Sequence, residues 1–297
     1  MAADAPRVLV LGGRGMLGST VTAVLREEGF DVADTATASG PDDGPARHVF
    51  DATRDDLGEL LDRAGPGWVV NAIGILKPGI DQDEPLSVAR AEAVNAEFPW
   101  RLAREAEDRG QRVIHISTDA VFAGDRGPYD ERATPDAAHV YGRTKGRGEA
   151  SGANVLNLRC SLVGDPAHLD SLLGWALGHK PGSAVPGYTN HRWNGVSTVA
   201  FARVCAGAIR DGSKPPSPLH LVPADAVNKA ELLGLAVDAF GRDDLEIAPT
   251  EADPSQDLTL QTIHPETVRE LWELAGYSRP PTISEMIHEL ARGQGGR

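Results

Sequence analysis

Several function classes are excluded by what this chain has little of. Two cysteines, Cys160 and Cys205, stand among 297 residues. That number cannot build a disulfide framework and points to a reducing compartment, the cytoplasm. Neither cysteine sits in a recognisable nucleophile context. The histidines show neither an H-x-x-x-H nor a Cys/His spacing, so no metal site is expected. No apolar run approaches the ~18 residues of a membrane span, and the start, Met1 to Pro6, lacks the basic and apolar regions of a secretion signal. Positive charge is scarce as well: 29 Lys and Arg face 43 Asp and Glu, a formal net charge of -14. Such a field repels nucleic acid and anionic membrane surfaces, so neither is an expected partner. A small anionic substrate stays open, through locally placed arginines and helix N-termini. Internal repeats, low-complexity segments and long flexible linkers are also missing.

What remains is globular. Hydrophobic residues make up 41% of a chain long enough for one large two-lobed unit or two small domains. Its chemistry gathers at Tyr141-Gly142-Arg143-Thr144-Lys145, with Ser117-Thr118-Asp119 upstream. On a helix, Tyr141 and Lys145 lie one above the other on the same face. An ammonium beside a phenol favours the phenolate, so Lys145 is expected to lower the Tyr141 pKa toward working pH. A phenol tuned in this way exchanges a proton with a carbonyl or carbinol oxygen while a hydride moves at carbon. Thr118 would donate a second hydrogen bond to that oxygen.

In chain order, the apolar run Arg7 to Leu11 leads into Gly12-Gly13-Arg14-Gly15-Met16-Leu17-Gly18 and a helical pattern. Strand, glycine turn and helix are the setting of a phosphate-binding turn. A second strand over Asp31 to Asp34 runs out into small hydroxyl residues, with Asp34 one position early for holding a ribose. These residues leave room for a 2′-phosphate that Arg14 could pair with, which favours NADPH over NADH. Asp51 either meets an adenine amino group or caps the following helix. Trp68 to Ile75, interrupted by Asn71, suits a buried parallel strand ending near a cofactor. Helical periodicity over Leu86 to Ala106 carries Asn95, which either holds backbone near the catalytic helix or lies on the surface. His115, within the strand Arg112 to Ser117, reads as a satisfied sheet residue. With a further strand at Asn154 to Arg159, the alternation predicts an α/β fold, a Rossmann-like doubly wound parallel sheet.

After Cys160, Gly and Pro clusters break the pattern into short elements. The expected division is a dinucleotide-binding domain over 1–163, with returning segments at about 195–223. A smaller mixed substrate lobe takes 164–194 and 224–297. The loop Gly187 to Gly195 could use Arg192 for phosphate and Trp193 for stacking, or close the core edge with Trp193. Leu219 to Val222 reads as a returning strand, Leu271 to Ala275 and Ile283 to Ala291 as amphipathic helices.

Taken together, the glycine turn, Asn71-Ala72-Ile73, Ser117 to Phe122, Tyr141 to Lys145 with Gly148-Glu149, and Leu158 to Ser161 resemble the extended short-chain dehydrogenase/reductase family. Within it they resemble the dTDP-4-dehydrorhamnose reductase-like sugar-nucleotide reductases. The resemblance implies that Thr118 binds the keto oxygen, Tyr141 donates the proton and Lys145 holds the nicotinamide ribose. It places the Met16 and Leu17 backbone at the pyrophosphate, Asp51 and Ala52 at the adenine, and Ala72, Ile73 and Gly74 at the ribose. Ser117 and Ser161 lie on the cofactor side, and Asp119, Arg192 and Trp193 with Thr118 on the substrate side. The implied reaction is NAD(P)H-dependent reduction of the 4-keto group of a nucleotide-activated 6-deoxy sugar, with a homodimer as one arrangement. Ala120, where these reductases usually have Tyr, and Leu162, where many have Trp, depart from the pattern, as does His191 to Asn194. Two alternatives stay open: a redox-neutral sugar-nucleotide epimerase, and a binding subunit similar to the beta subunit of methionine adenosyltransferase.

Overall fold

A computed structural model of the chain describes residues 6–40, 44, 46–168, 171–212 and 214–293. Met1 to Ala5, part of the stretch read for a secretion signal, lies outside them. The first half runs β1 (Arg7–Leu11), α1 (Met16–Glu27), β2 (Asp31–Ala36), β3 (Arg47–Val49), α2 (Leu57–Ala64), β4 (Trp68–Asn71), α3 (Pro85–Ala91), α4 (Phe98–Asp108), β5 (Arg112–Ser117), α5 (Val140–Arg147) and β6 (Val155–Arg159). It continues through β7 (Leu162–Val163), α6 (Leu172–Leu177), β8 (Ala184–Tyr188), β9 (His191–Trp193), β10 (Val196–Ser197), α7 (Thr198–Asp211) and β11 (Leu219–His220). The last elements are β12 (Val227–Asn228), α8 (Lys229–Ala239), β13 (Glu246–Thr250), β14 (Gln256–Asp257), α9 (Pro265–Leu274) and α10 (Ile283–Arg292).

Seven strands form one sheet in the order β11-β6-β5-β4-β1-β2-β3. Every pairing in it is parallel. Strands covered on both faces must be apolar throughout, which is why β1 reads Arg-Val-Leu-Val-Leu rather than alternating. Alternate side chains still go to opposite sides. Val8 and Val10 enter a core with Leu17, Val21 and Leu25 of α1 and Phe201 and Val204 of α7. Leu9 and Leu11 enter the other core, with Leu57, Leu60 and Leu61 of α2 and Phe98 and Leu102 of α4. This is the doubly wound, Rossmann-like sheet that the alternation predicted. Leu219–His220 returns to it as expected, parallel to β6.

The later elements build small sheets of their own, β12-β9-β14 and β13-β8. They do not stand apart from the main core. Leu232 and Ala236 of α8, Trp272 of α9 and Ile287 of α10 pack into the same cluster as Val8 and Val10. Local signals fix where these helices begin. Asn228 and Glu231 form a capping box on α8, and Thr282 and Glu285 form one on α10.

The helix expected over Leu86 to Ala106 departs from a regular α-helix. A π-helical turn, Glu92–Glu97, separates α3 from α4. Pro99 follows it and has no N–H to give the Asn95 carbonyl four residues back. Gly148, after α5, packs against that carbonyl so closely that a Cβ there would collide with it. The widened turn brings the Asn95 side chain inward.

A candidate dinucleotide and substrate cleft

The glycine turn is shaped for close backbone approach. Gly12 has φ +83°, and its position lies against Ala72, where an added Cβ would stand 3.2 Å from the carbonyl oxygen. Gly18, inside α1, packs on Gly12 so tightly that a Cβ would lie 2.7 Å from the Gly12 carbonyl carbon. The turn is pinned by Gly13 N donating to the Thr35 carbonyl at 2.8 Å and Gly12 N donating to the Thr35 hydroxyl at 3.0 Å. Gly15 is the N-cap of α1, so no side chain caps the helix, and its first turn holds no acidic residue. The amide groups of Met16 and Leu17 thus sit at a helix N-terminus suited to an anion.

Two adjoining cavities open beside this turn. One, of about 500 Å³, is lined by Gly12, Thr35, Thr37, Asp51, Arg54 and Arg90 among others. The other, of about 410 Å³, holds Met16, Thr118, Tyr141, Lys145, Trp193 and Lys229. Ile73 and Gly74 line both, so the two are continuous past the end of β4. Strand order reverses between β1 and β4 here, the point where open α/β sheets take ligands.

Arg14 donates to the Ala38 carbonyl at 2.8 Å, which places it beside the loop after β2. Asp34 is buried within β2 and taken by arginines, 2.5 Å from Arg47 and 3.3 Å from Arg26. Both of its oxygens already accept from arginine. Asp51 is not a helix cap: it binds Thr53 through the backbone N–H at 2.8 Å and the hydroxyl at 2.6 Å. The cap of α2 is Asp56, which accepts from Glu59 N at 2.9 Å. Asp51 and Ala52 line the larger cavity, and Ala72 and Leu17 the smaller.

Asn95 is buried and lines neither cavity. Its oxygen accepts from Ile75 N at 2.8 Å, and its amide donates to the Ile75 carbonyl at 2.9 Å and to Thr144 at 3.2 Å. It holds the loop after β4 against α5, so its service to a cofactor is indirect. Ser117 lines the smaller cavity while its hydroxyl donates to Glu149 at 2.6 Å. Glu149 in turn grips Arg159 at 2.6 Å in a pair whose side chains are 8% and 4% exposed.

Thr118 and Tyr141 meet in the smaller cavity, close enough for Thr118 to pull the Tyr141 pKa down. The Thr118 hydroxyl also accepts from Ala120 N at 3.1 Å and donates to Asp119 at 3.0 Å. Asp119 is buried, and burial raises its pKa against the opposing pull of Lys229, Thr118 and Ser161. The expected lowering of the Tyr141 pKa is not what the ligand-free site holds. Burial pushes it up to about 12, more than the Thr118 hydrogen bond can offset. The reason is where the Lys145 ammonium position points: Nζ donates to the Ile116 carbonyl at 2.6 Å and stands 3.4 Å from His115. Burial lowers the Lys145 pKa to about 8.

Ser161, Arg192 and Trp193 also line this cavity. Arg192 is exposed, with Asp257 at 3.7 Å. Trp193 is 2% exposed, its ring in the core with Lys229 Nζ 4.9 Å over its face. Lys229 was not singled out in the sequence. Burial lowers its pKa to about 8, with Asp119 opposing. A usable signal existed, since a lysine opening a helix faces the positive end of the macrodipole and needs another reason to be there.

A dinucleotide fold with Tyr and Lys four residues apart on one helix, beside a Thr and below a glycine turn, defines a short-chain dehydrogenase/reductase-type site. A family model described as the RmlD substrate binding domain matches residues 6–163. The chain is 32% identical over 214 residues to a probable low-salt glycan biosynthesis reductase of Haloferax volcanii, covering 67% of this chain and 70% of that one. It is 33% identical over 154 residues to the dTDP-4-dehydrorhamnose reductase of Mycobacterium tuberculosis, covering 50% and 46%. A crystal structure of dTDP-4-dehydrorhamnose reductase from Bacillus anthracis in complex with NADP superposes with a TM-score of 0.75 at 16% identity, covering 99% and 100%. The chain therefore belongs to the RmlD family, among the extended short-chain sugar-nucleotide reductases. The matched stretch spans about half the length of the Mycobacterium relative.

Proposed function

We propose that this protein uses NADPH to reduce the 4-keto group of a nucleotide-activated 6-deoxy sugar. The observation that carries the reading is the meeting of Thr118, Tyr141 and Lys145 in one cavity that continues into a second beside the glycine turn. The chain's own residues fit the dinucleotide. Gly12 and Gly18 leave the space a backbone-hugging pyrophosphate needs, and the uncapped start of α1 offers it amide donors. Thr35, Thr37, Arg54 and Arg90 line the adjoining cavity, while the Asp34 carboxylate is already engaged. Hydroxyls and cations suit a 2′-phosphate, and the Asp51 carboxylate in the same lining is held by Thr53. Arg14, in the glycine turn with its guanidinium at the loop after β2, adds to that charge.

Bound there, the reduced nicotinamide supplies a hydride. The protein's part is orientation and the proton. Thr118 and Tyr141 hold the keto oxygen between them, and Tyr141, still carrying its proton at working pH, gives it to the oxygen as negative charge develops. Lys145 steadies the ribose side and Asn95 holds the loop beneath it. Asp119, Arg192 and Lys229, with Trp193 behind, form the sugar-nucleotide side. Residues 164–194 and 224–297 supply that side as a substrate lobe.

The test is a panel of 4-keto sugar nucleotides with NADPH or NADH, following the absorbance of the reduced cofactor. At least one member should be reduced, faster with NADPH. A protein that keeps a dinucleotide through purification and turns over none of the panel would point to the epimerase instead.

A further inference from the structure

His115 was read as a sheet residue, but its surroundings fix which of its nitrogens carries the proton. Asn71, buried at the end of β4, accepts from Ile73 N through Oδ1 at 3.1 Å. That main-chain donor fixes the amide orientation, so Nδ2 is what faces His115 Nδ1 at 3.0 Å. An amide NH2 can only donate, so Nδ1 must be the bare acceptor. The one proton of a neutral imidazole then sits on Nε2. Nε2 faces Lys145 Nζ at 3.4 Å, and Nζ also donates to the Ile116 carbonyl at 2.6 Å. Two donors would oppose each other there if Lys145 were an ammonium. An amine instead offers its lone pair to Nε2–H and keeps a hydrogen for Ile116.

We propose that His115 is a positioning residue for Lys145, set by Asn71 as the Nε2–H tautomer, so that its N–H faces Nζ and opposes the ammonium form. This rests on the reading of Lys145 as part of the catalytic set. His115 is 1% exposed and its own pKa is driven well below the ordinary value by burial and by Lys145, which keeps the imidazole neutral. The other titratable groups around Lys145 are Glu149 beyond the end of α5, Cys160 after β6, and Tyr141 one turn earlier in the same cavity. Glu149 favours the ammonium, but it is committed to Arg159 and Ser117. Burial and the His115 proton act the other way. Ribose hydroxyls that accept from Nζ would act with Glu149, so a bound dinucleotide should raise the Lys145 midpoint.

NMR of the ligand-free protein tests this without turnover, so its outcome is separable from that of the keto-sugar panel. Long-range 1H–15N correlation of the imidazoles should show His115 protonated at Nε2 and bare at Nδ1. The five lysines can be titrated through their 13Cε shifts, with Lys145→Met assigning the signal. The Lys145 midpoint should lie below the ordinary lysine value and rise by about one unit in His115→Leu, with Gln at the same position moving it less. Asn71→Asp, whose carboxylate accepts from Nδ1–H, should switch the tautomer and raise the Lys145 midpoint. A wild-type His115 protonated at Nδ1 would overturn the proposal, and that measurement needs no variant to fold. So would a Lys145 midpoint that is the same with and without the imidazole.

Discussion

Replacing Tyr141 by Phe keeps the ring and removes the hydroxyl, and the structure separates the two consequences by size. The structural loss is at most one hydrogen bond to Thr118, which still has Asp119 and Ala120 as partners. Such a bond contributes about 0.5–1.5 kcal/mol, or a few degrees in Tm at most. The catalytic loss is larger. With a pKa near 12, Tyr141 is a phenol in all but roughly one molecule in 100,000 at neutral pH, so the donor is fully stocked. A positioned general acid contributes about 10²–10⁴-fold. The Phe variant should therefore lose about that much kcat, with KM for the keto sugar moved far less because Thr118 still meets the oxygen. Steady-state rates of NADPH oxidation, read beside a thermal melt of each protein, give both numbers. The wild-type kcat/KM should show no fall from Tyr141 ionisation below about pH 10. A rate within tenfold of wild type in a folded Phe variant would refute the assignment.

Other substitutions probe the rest of the site. Glu149→Gln leaves the buried Arg159 guanidinium without its carboxylate, which should cost about 3–5 kcal/mol and lower the calorimetric midpoint by roughly 10 °C. Lys229→Met keeps an apolar stem against Trp193 and removes the charge. It should raise KM for the sugar nucleotide roughly tenfold or more while kcat holds, in the same assay. Gly18→Ala puts a Cβ into Gly12 and should weaken NADPH binding, measured by calorimetric titration, more than it lowers the melting point. Lys145→Met tests linkage. Because burial lowers the folded pKa to about 8, the unfolded chain binds more protons from there up to the ordinary lysine value. Wild-type stability attributable to this group thus rises with pH across that window, and any stability advantage of the Met variant should shrink over it.

The parts of the site that were legible in the sequence are those whose geometry is local. Gly12 to Gly18 follows β1 directly, and its turn is set by neighbours in the chain. Tyr141 and Lys145 share a helix face by spacing alone. Where the reading went wrong, the deciding atom came from elsewhere. Whether Lys145 charges Tyr141 depends on the Ile116 carbonyl, which belongs to a different element and captures the amine. Asp51 and Asp56 both precede α2, and the cap falls to Asp56 at the helix start while Asp51 turns to Thr53. Asn95 turns inward because Pro99 and Gly148 together open the helix, a cooperation between segments that periodicity does not register.

Lys229 is the instructive case, because its sequence context reads as ordinary helix start. Asn228 and Glu231 account for the beginning of α8, which leaves the lysine's place at the positive end of the helix dipole as the local hint. Its cost becomes visible only in three dimensions, where burial opposes its charge and the nearest compensations are the Trp193 face and the Asp119 field. A cation kept in such a place without an ion pair among the described residues is underpaid by the protein itself. An anionic group of the substrate would complete it. The substrate side is thus incomplete in charge where the cofactor side is incomplete in hydrogen bonds, and each deficit matches the end of the cleft where its ligand is proposed to bind.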